Sequence, residues 1–188
     1  MGKIILCRGK KADTPLTVLQ TGVKLYTAEE LCYYIYNNIY LIGQDFIDDN
    51  LISFLDETGE KELAERVRKL KETGGSLAQI FVIILKTIDY YSVAEIEQLK
   101  GILNTLGKQS VCERLKARGD GYLNAGYYFA AVRCYESIIK DYKGKDLLAA
   151  DYAKVYHNLG TAYARMFMYD KAVIYYDEAY RTGQHEES

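Results

Sequence analysis

Apolar positions fall into two regimes along this chain. Over the first 26 residues they form short runs of β-branched, aliphatic or aromatic residues, whereas from Thr27 onward they recur at helical spacing. Leu16–Gln20 and Val23–Tyr26 bracket the turn signal Thr21–Gly22, and with the apolar run Lys3–Cys7 they predict a two- or three-stranded antiparallel ribbon. Pro15, the only proline, lies in a loop stretch from Ala12. Thr27 and Glu30 form a capping box that opens a helix reaching to about Ile42, with Leu31, Tyr34, Ile35, Ile39 and Ile42 on one stripe and Gly43 ending it. A second helix is expected over Asp45–Asp56 and a third over Glu60–Lys71, stopped by Thr73–Gly74–Gly75. Ser76–Tyr90 is apolar on nearly every side and is expected at the centre of an N-terminal bundle. Ser92 and Glu95 cap the next helix, whose stripe is Ile96, Leu99, Leu103 and Leu106. Gly107–Lys108 is taken as the domain boundary, giving residues 1–107 and 108–188.

Composition narrows the function classes. With 49% hydrophobic residues among 188, the chain can bury a substantial core. A net charge of −2 argues against a dedicated nucleic-acid binder, whose affinity comes from clustered Lys and Arg. The longest apolar run, Ile80–Leu85, is far shorter than the ~20 residues of a membrane span. The first seven residues lack the length and cleavage site of a secretion signal, so a cytoplasmic location is expected. Cys7, Cys32, Cys112 and Cys134 are scattered, which suits reduced and mostly buried thiols. With His157 and His185 as the only histidines, neither a metal cluster nor a cofactor site is expected.

The last third carries one pattern twice. Tyr156, Leu159, Gly160 and Tyr163 are followed by Ala172, Tyr176 and Ala179; 41 residues earlier stand Leu115, Gly119, Tyr122, Ala131, Tyr135 and Ile138. Small residues at Gly119, Gly160, Ala131 and Ala172 let two helix backbones approach, and the tyrosines fill the space between them. The pattern over about Val111–Gly183 resembles the tetratricopeptide repeat, a helix–turn–helix unit of about 34 residues. The surplus length falls at Tyr142–Ala150; Leu115 and Arg118 replace a family aromatic and leucine, and the terminal proline is missing from both copies. Asn124–Ala125–Gly126 and Met168–Tyr169–Asp170 are the expected turns within the pairs. The expected fold is therefore mainly α: a short β-ribbon, a helical bundle, then an α-α superhelix of two helix pairs.

That resemblance implies a non-catalytic adaptor or scaffold that binds a peptide segment of another protein in the concave face of the first helices. The implied contact residues are Glu113, Lys116, Asp120 and Asn124, then Lys154, His157, Asn158, Thr161 and Arg165. The second set is net basic, suiting an acidic or C-terminal segment. Lys116 and Asn158 also occupy two positions of the carboxylate clamp found in some relatives, but Asp120 stands where asparagine is expected and would repel a carboxylate. The alternative is a structural homo-oligomer. Nineteen tyrosines suit half-wet interfaces, and Tyr33, Tyr36 and Tyr40 would form an exposed ridge on the first helix. An enzyme ranks third, since the sequence carries no nucleophile–base constellation. Gly9–Lys10–Lys11 lacks the flanking residues of a phosphate loop, and Asp45, Asp48 and Asp49 read as helix N-terminal charges instead of a calcium loop.

Overall fold

Leu16, Thr17 and Val18 pair with Leu25, Lys24 and Val23 in an antiparallel ribbon of two three-residue strands, β1 (Leu16–Val18) and β2 (Val23–Leu25). β1 stops short of Gln20 because the turn starts at Leu19, with Gly22 at φ +71° donating its N–H to Val18, and β2 ends before Tyr26, whose N–H donates to the Glu30 carboxylate. The computed structural model describes residues 7–142 and 147–184; residues 3–6 of the expected third strand lie outside them. Among the described residues the fold is mainly α, with nine α-helices and this one small sheet. The chain divides into two compact units, Met1–Lys108 and Gln109–Ser188.

In the first unit the Thr27–Glu30 capping box opens α1 (Ala28–Asn37). The helix ends five residues before the expected Ile42. Asn38 turns its backbone N–H and its side-chain amide onto the Tyr34 carbonyl, a local alternative to another helical turn. Ile39 and Ile42 are buried all the same, from a turn. The helix expected over Asp45–Asp56 is broken. A 3-10 turn covers Gln44–Phe46, and α2 (Asp49–Glu57) starts only where the Asp48 carboxylate caps the Leu51 N–H. Then come α3 (Lys61–Glu72), α4 (Leu77–Ile88), opened by a Ser76–Gln79 capping box, and α5 (Val93–Lys108), opened by Ser92 and Glu95 and running through Gly107. α4 contacts α1, α3 and α5 and buries Ile80, Phe81, Ile84 and Leu85 against Leu31, Ile35, Leu55 and Val67. The apolar circumference of α4 thus finds neighbours on several sides.

The tyrosine ridge expected on α1 does not exist as an exposed surface. Tyr33 is half-buried, Tyr36 stacks on Tyr91 with ring centroids 4.2 Å apart, and Tyr40 lies beyond the helix end. Burial pushes the Tyr91 hydroxyl up to about 12, with the Tyr90 charge adding to it. The basic stretch is absorbed locally: Lys11 sits 4.6 Å over the Tyr26 ring, and the Glu29 carboxylate accepts from the Arg8 and Gly9 backbone N–H groups at 2.7 Å each. Cys32, Cys112 and Cys134 are buried and Cys7 is exposed, none of them in a disulfide.

The second unit contains α6 (Val111–Asn124), α7 (Tyr128–Asp141), α8 (Ala149–Arg165) and α9 (Tyr169–Gln184). α6 packs on α7 and α8 on α9; α7 also packs on α8, and α6 touches α8. Ser110 and Glu113 form the capping box that starts α6.

Candidate functional site

The two helix pairs repeat the same contacts at the 41-residue offset. A Cβ on Gly119 would lie 2.7 Å from the Tyr135 ring, and one on Gly160 would lie 2.9 Å from the Tyr176 ring. Only glycine lets each tyrosine lie flat on the partner helix. The turns repeat as well. Tyr127 N–H donates to the Tyr122 carbonyl and Met168 N–H to the Tyr163 carbonyl, both at 2.9 Å, closing the same helix-ending motif. The residue that must be left-handed there is Gly126 in the first pair (φ +81°) and Phe167 in the second (φ +61°). The second turn is therefore Met166–Met168, and Tyr169 and Asp170 belong to α9. The sequence points to Met168–Asp170 because a proline- and glycine-free turn gives no signal at Phe167.

Three of the predicted contact residues come together around one carboxylate. Asp120 Oδ1 accepts from the Tyr135 hydroxyl at 2.6 Å and from the Asn158 amide at 2.9 Å, while Oδ2 accepts from Lys116 Nζ at 3.0 Å. This cluster joins α6, α7 and α8. The Lys116 and Asp120 side chains remain partly exposed (21% and 32%), so it sits at the edge of water, on the α6–α8 surface. Thr161 continues the row on α8: its hydroxyl bonds the His157 carbonyl at 3.0 Å and meets the Tyr176 hydroxyl at 3.1 Å. The His157 ring lies 5.2 Å from that of Tyr176, with the imidazole side chain exposed.

The remaining predicted residues are not gathered into this cluster. Lys154 is exposed and pairs with Asp151 at 3.5 Å on its own helix. Asn124 and Arg165 are exposed at the C-terminal ends of α6 and α8, and Glu113 is engaged at the N-terminus of α6. The charge balance also changes on folding. Asp120 compensates Lys116 and Asp151 compensates Lys154, whereas Arg165 is exposed and makes no ion pair among the described residues.

Burial first, and then the hydrogen bond and charge of Asp120, push the Tyr135 hydroxyl far above its ordinary value, so it stays a donor. A second carboxylate–tyrosine pair ties α7 to α8. Tyr163 donates to Glu136 at 2.8 Å, and burial together with that carboxylate raises the Tyr163 hydroxyl. Burial pushes Glu136 up, but the hydrogen bonds from Lys140 and Tyr163 outweigh it and hold the carboxylate below its usual range. Sequence reading missed the partnership of Tyr135 and Glu136 with groups on neighbouring helices. Its linear traces are the i,i+4 spacings of Lys116 with Asp120 and of Glu136 with Lys140.

Elsewhere, α3, α4 and α5 border a cleft of about 730 Å³ whose apolar floor includes Leu70 and Val82 and whose walls include Arg66, Lys86 and Lys100. Lys86 and Lys100 both reach Glu97, at 3.4 and 3.2 Å. Among the described residues no group of three His, Cys, Asp or Glu side chains could hold a metal ion, and no helix is long and apolar enough to cross a membrane. No protein-family model, no curated protein and no solved structure matches this chain.

Proposed function

We propose that the second unit is a non-catalytic protein–protein interaction module that holds a peptide segment of a partner against α6 and α8, in the cytoplasm. The observation that supports this reading best is the repetition, 41 residues apart, of both the glycine–tyrosine contact and the helix-ending turn. Such stacked pairs present side chains in register along a surface that is formed before any partner arrives, so little ordering entropy is lost on binding. In this reading His157, Asn158, Thr161 and Arg165 of α8, with Lys116 and Asn124 of α6, contact the segment, and Lys154 lies at its edge. Asp120 serves as the fixed point: being already bonded to three donors, it orients Lys116 and Asn158 towards the ligand instead of binding it directly. Arg165 supplies the charge that favours an acidic segment.

Selection from a displayed random-peptide library tests the reading. Enrichment of peptides by the wild-type protein, with binding lost in a folded His157→Ala, Arg165→Glu variant, is the expected result. Failure to enrich any sequence, or equal retention by the variant, would remove the α6–α8 surface as the binding site.

A further inference from the structure

The 41-residue offset sets Tyr169, Val173, Tyr176 and Tyr180 of α9 on the positions of Tyr128, Val132, Tyr135 and Ile139 of α7. Spacings of four, three and four make each set a seam with the 3.5-residue period by which helices interlock side by side. The two seams differ in what covers them. On α7, which lies against α8, Val132 is 7% exposed and Tyr128 and Ile139 are partly covered, while Tyr135 is fully buried over Gly119 of α6. On α9 the four side chains are 60%, 66%, 37% and 66% exposed. α9 packs on α8 through Ala172, which is buried, and Tyr176, at the border of the seam, lies over Gly160 of α8 while remaining 37% exposed. Phe167 and Met168, just before α9, and Ile174, farther round the helix, are exposed as well. At ~150–250 Å² for each large aromatic side chain, the four seam residues expose on the order of 400 Å², about half of what one partner contributes to a standard protein interface.

We propose that the α9 seam is a dimer interface, on which α9 of a second copy lies antiparallel about a two-fold axis. The molecule itself shows what fits such a seam, since the equivalent strip on α7 takes another helix of the same unit. The order of intervals, four–three–four, reads the same from either end. In the antiparallel register Tyr169 of one copy therefore lies abreast of Tyr180 of the other, and Val173 abreast of Tyr176. That self-complementarity is what a two-fold interface requires. The rim agrees with the covered case. Glu136, beside the α7 seam, accepts a tyrosine hydroxyl from the covering helix; Asp177 holds the matching position beside the α9 seam, where a second copy brings tyrosine hydroxyls. Its charge is already partly offset by Arg181 at 2.7 Å.

Sedimentation equilibrium of the full chain, with and without Val173→Asp or Tyr180→Asp, tests this. Both side chains are exposed, so the variants should keep wild-type helicity, and their urea midpoints should match the wild type's at concentrations too low for dimers to form. The expected result is a wild type of twice the chain mass at micromolar concentration and variants whose dimer dissociation constant rises about tenfold or more. In a Cys7→Ser background, cysteines at positions 173 and 176 should be bridged between copies by a short bis-maleimide, whereas Phe129→Cys, equally exposed on α7, should not. A monomeric wild type at high concentration would overturn the proposal and leave the seam to a helix of another protein. A dimer that Val173→Asp and Tyr180→Asp leave intact would overturn it equally, by placing the contact elsewhere.

Discussion

Asn158 of α8 donates its side-chain amide to Asp120 of α6 at 2.9 Å, joining the first helices of two pairs that are 38 residues apart in sequence. The same Asp120 oxygen takes the hydroxyl of the fully buried Tyr135. Asp120→Ala would strand that hydroxyl without an acceptor, and the expected cost is about 1–3 kcal/mol. Lys116→Ala removes only a partly exposed i,i+4 pair and should cost less than about 1 kcal/mol. Urea unfolding followed by circular dichroism would separate the two. Equal costs would mean that the Lys116 pair, and not the Tyr135 hydrogen bond, gives Asp120 its weight.

The glycine positions give a graded expectation. Gly119→Ala drives a methyl group to 2.7 Å from the ring of Tyr135, which has no free space to move into. Overpacking of about 1–3 kcal/mol should exceed the roughly 1 kcal/mol gained in helix propensity. Gly160→Ala meets Tyr176, which is partly exposed and can swing outward, so the loss there should be smaller. Chemical denaturation of the two variants in parallel checks the order; the reverse order would mean that the Ala172 carbonyl, 3.2 Å from the new methyl, dominates at Gly160.

Phe167 holds a left-handed backbone at the position that Gly126 fills in the first pair. Its ring is largely exposed, so little burial is lost in Phe167→Gly. Relief of a conformation that costs an L-residue roughly 1–2 kcal/mol should outweigh the added freedom of glycine in the unfolded chain, giving a net gain of up to about 1 kcal/mol. Gly126→Ala should lose about 1 kcal/mol by the same logic. Thermal melts of both variants test this pair, and a destabilised Phe167→Gly would show that the ring carries packing that its exposure does not suggest.

Glu29 makes the first unit acid-sensitive. Burial pushes its pKa up, but hydrogen bonds from the Arg8 and Gly9 backbone and from Thr27 outweigh this and hold it below the ordinary value of 4.5. A carboxylate lowered in the folded state contributes stability that is complete above its unfolded pKa and is lost as pH falls through the folded value. Wild-type stability should therefore decline as pH drops below about 4.5, and Glu29→Gln should be less stable at neutral pH but flatter over that window. Urea midpoints across the acid range measure the slope; a slope unchanged by the substitution would place the titration on another carboxylate.

Local signals identified most of the elements. The Thr27–Glu30, Ser76 and Ser92–Glu95 starts, the Gly74–Gly75 stop and the doubled Gly–Tyr–Ala–Tyr pattern all act within a few residues, so each is legible from the chain alone. The end of α1 was harder to read. Its apolar stripe continues to Ile42, and only the Asn38 side chain turning back on Tyr34 stops the helix. The second inner turn was misplaced because Phe167, a residue that rarely takes the left-handed region, occupies a glycine position.

By itself the sequence determined the helical class and the helix pairs of the second unit, because hydrophobic period, caps and small-residue spacing are properties of neighbouring positions. Tertiary structure alone decided how those residues are used. It turned Asp120 from an obstacle to anion binding into the acceptor for Lys116, Tyr135 and Asn158, and folded the Tyr36 face against Tyr91. It also left Val173 and Tyr180 bare where Val132 is covered. Charge pairing and burial depend on which helices meet, and that is settled by packing across distances that no local pattern encodes.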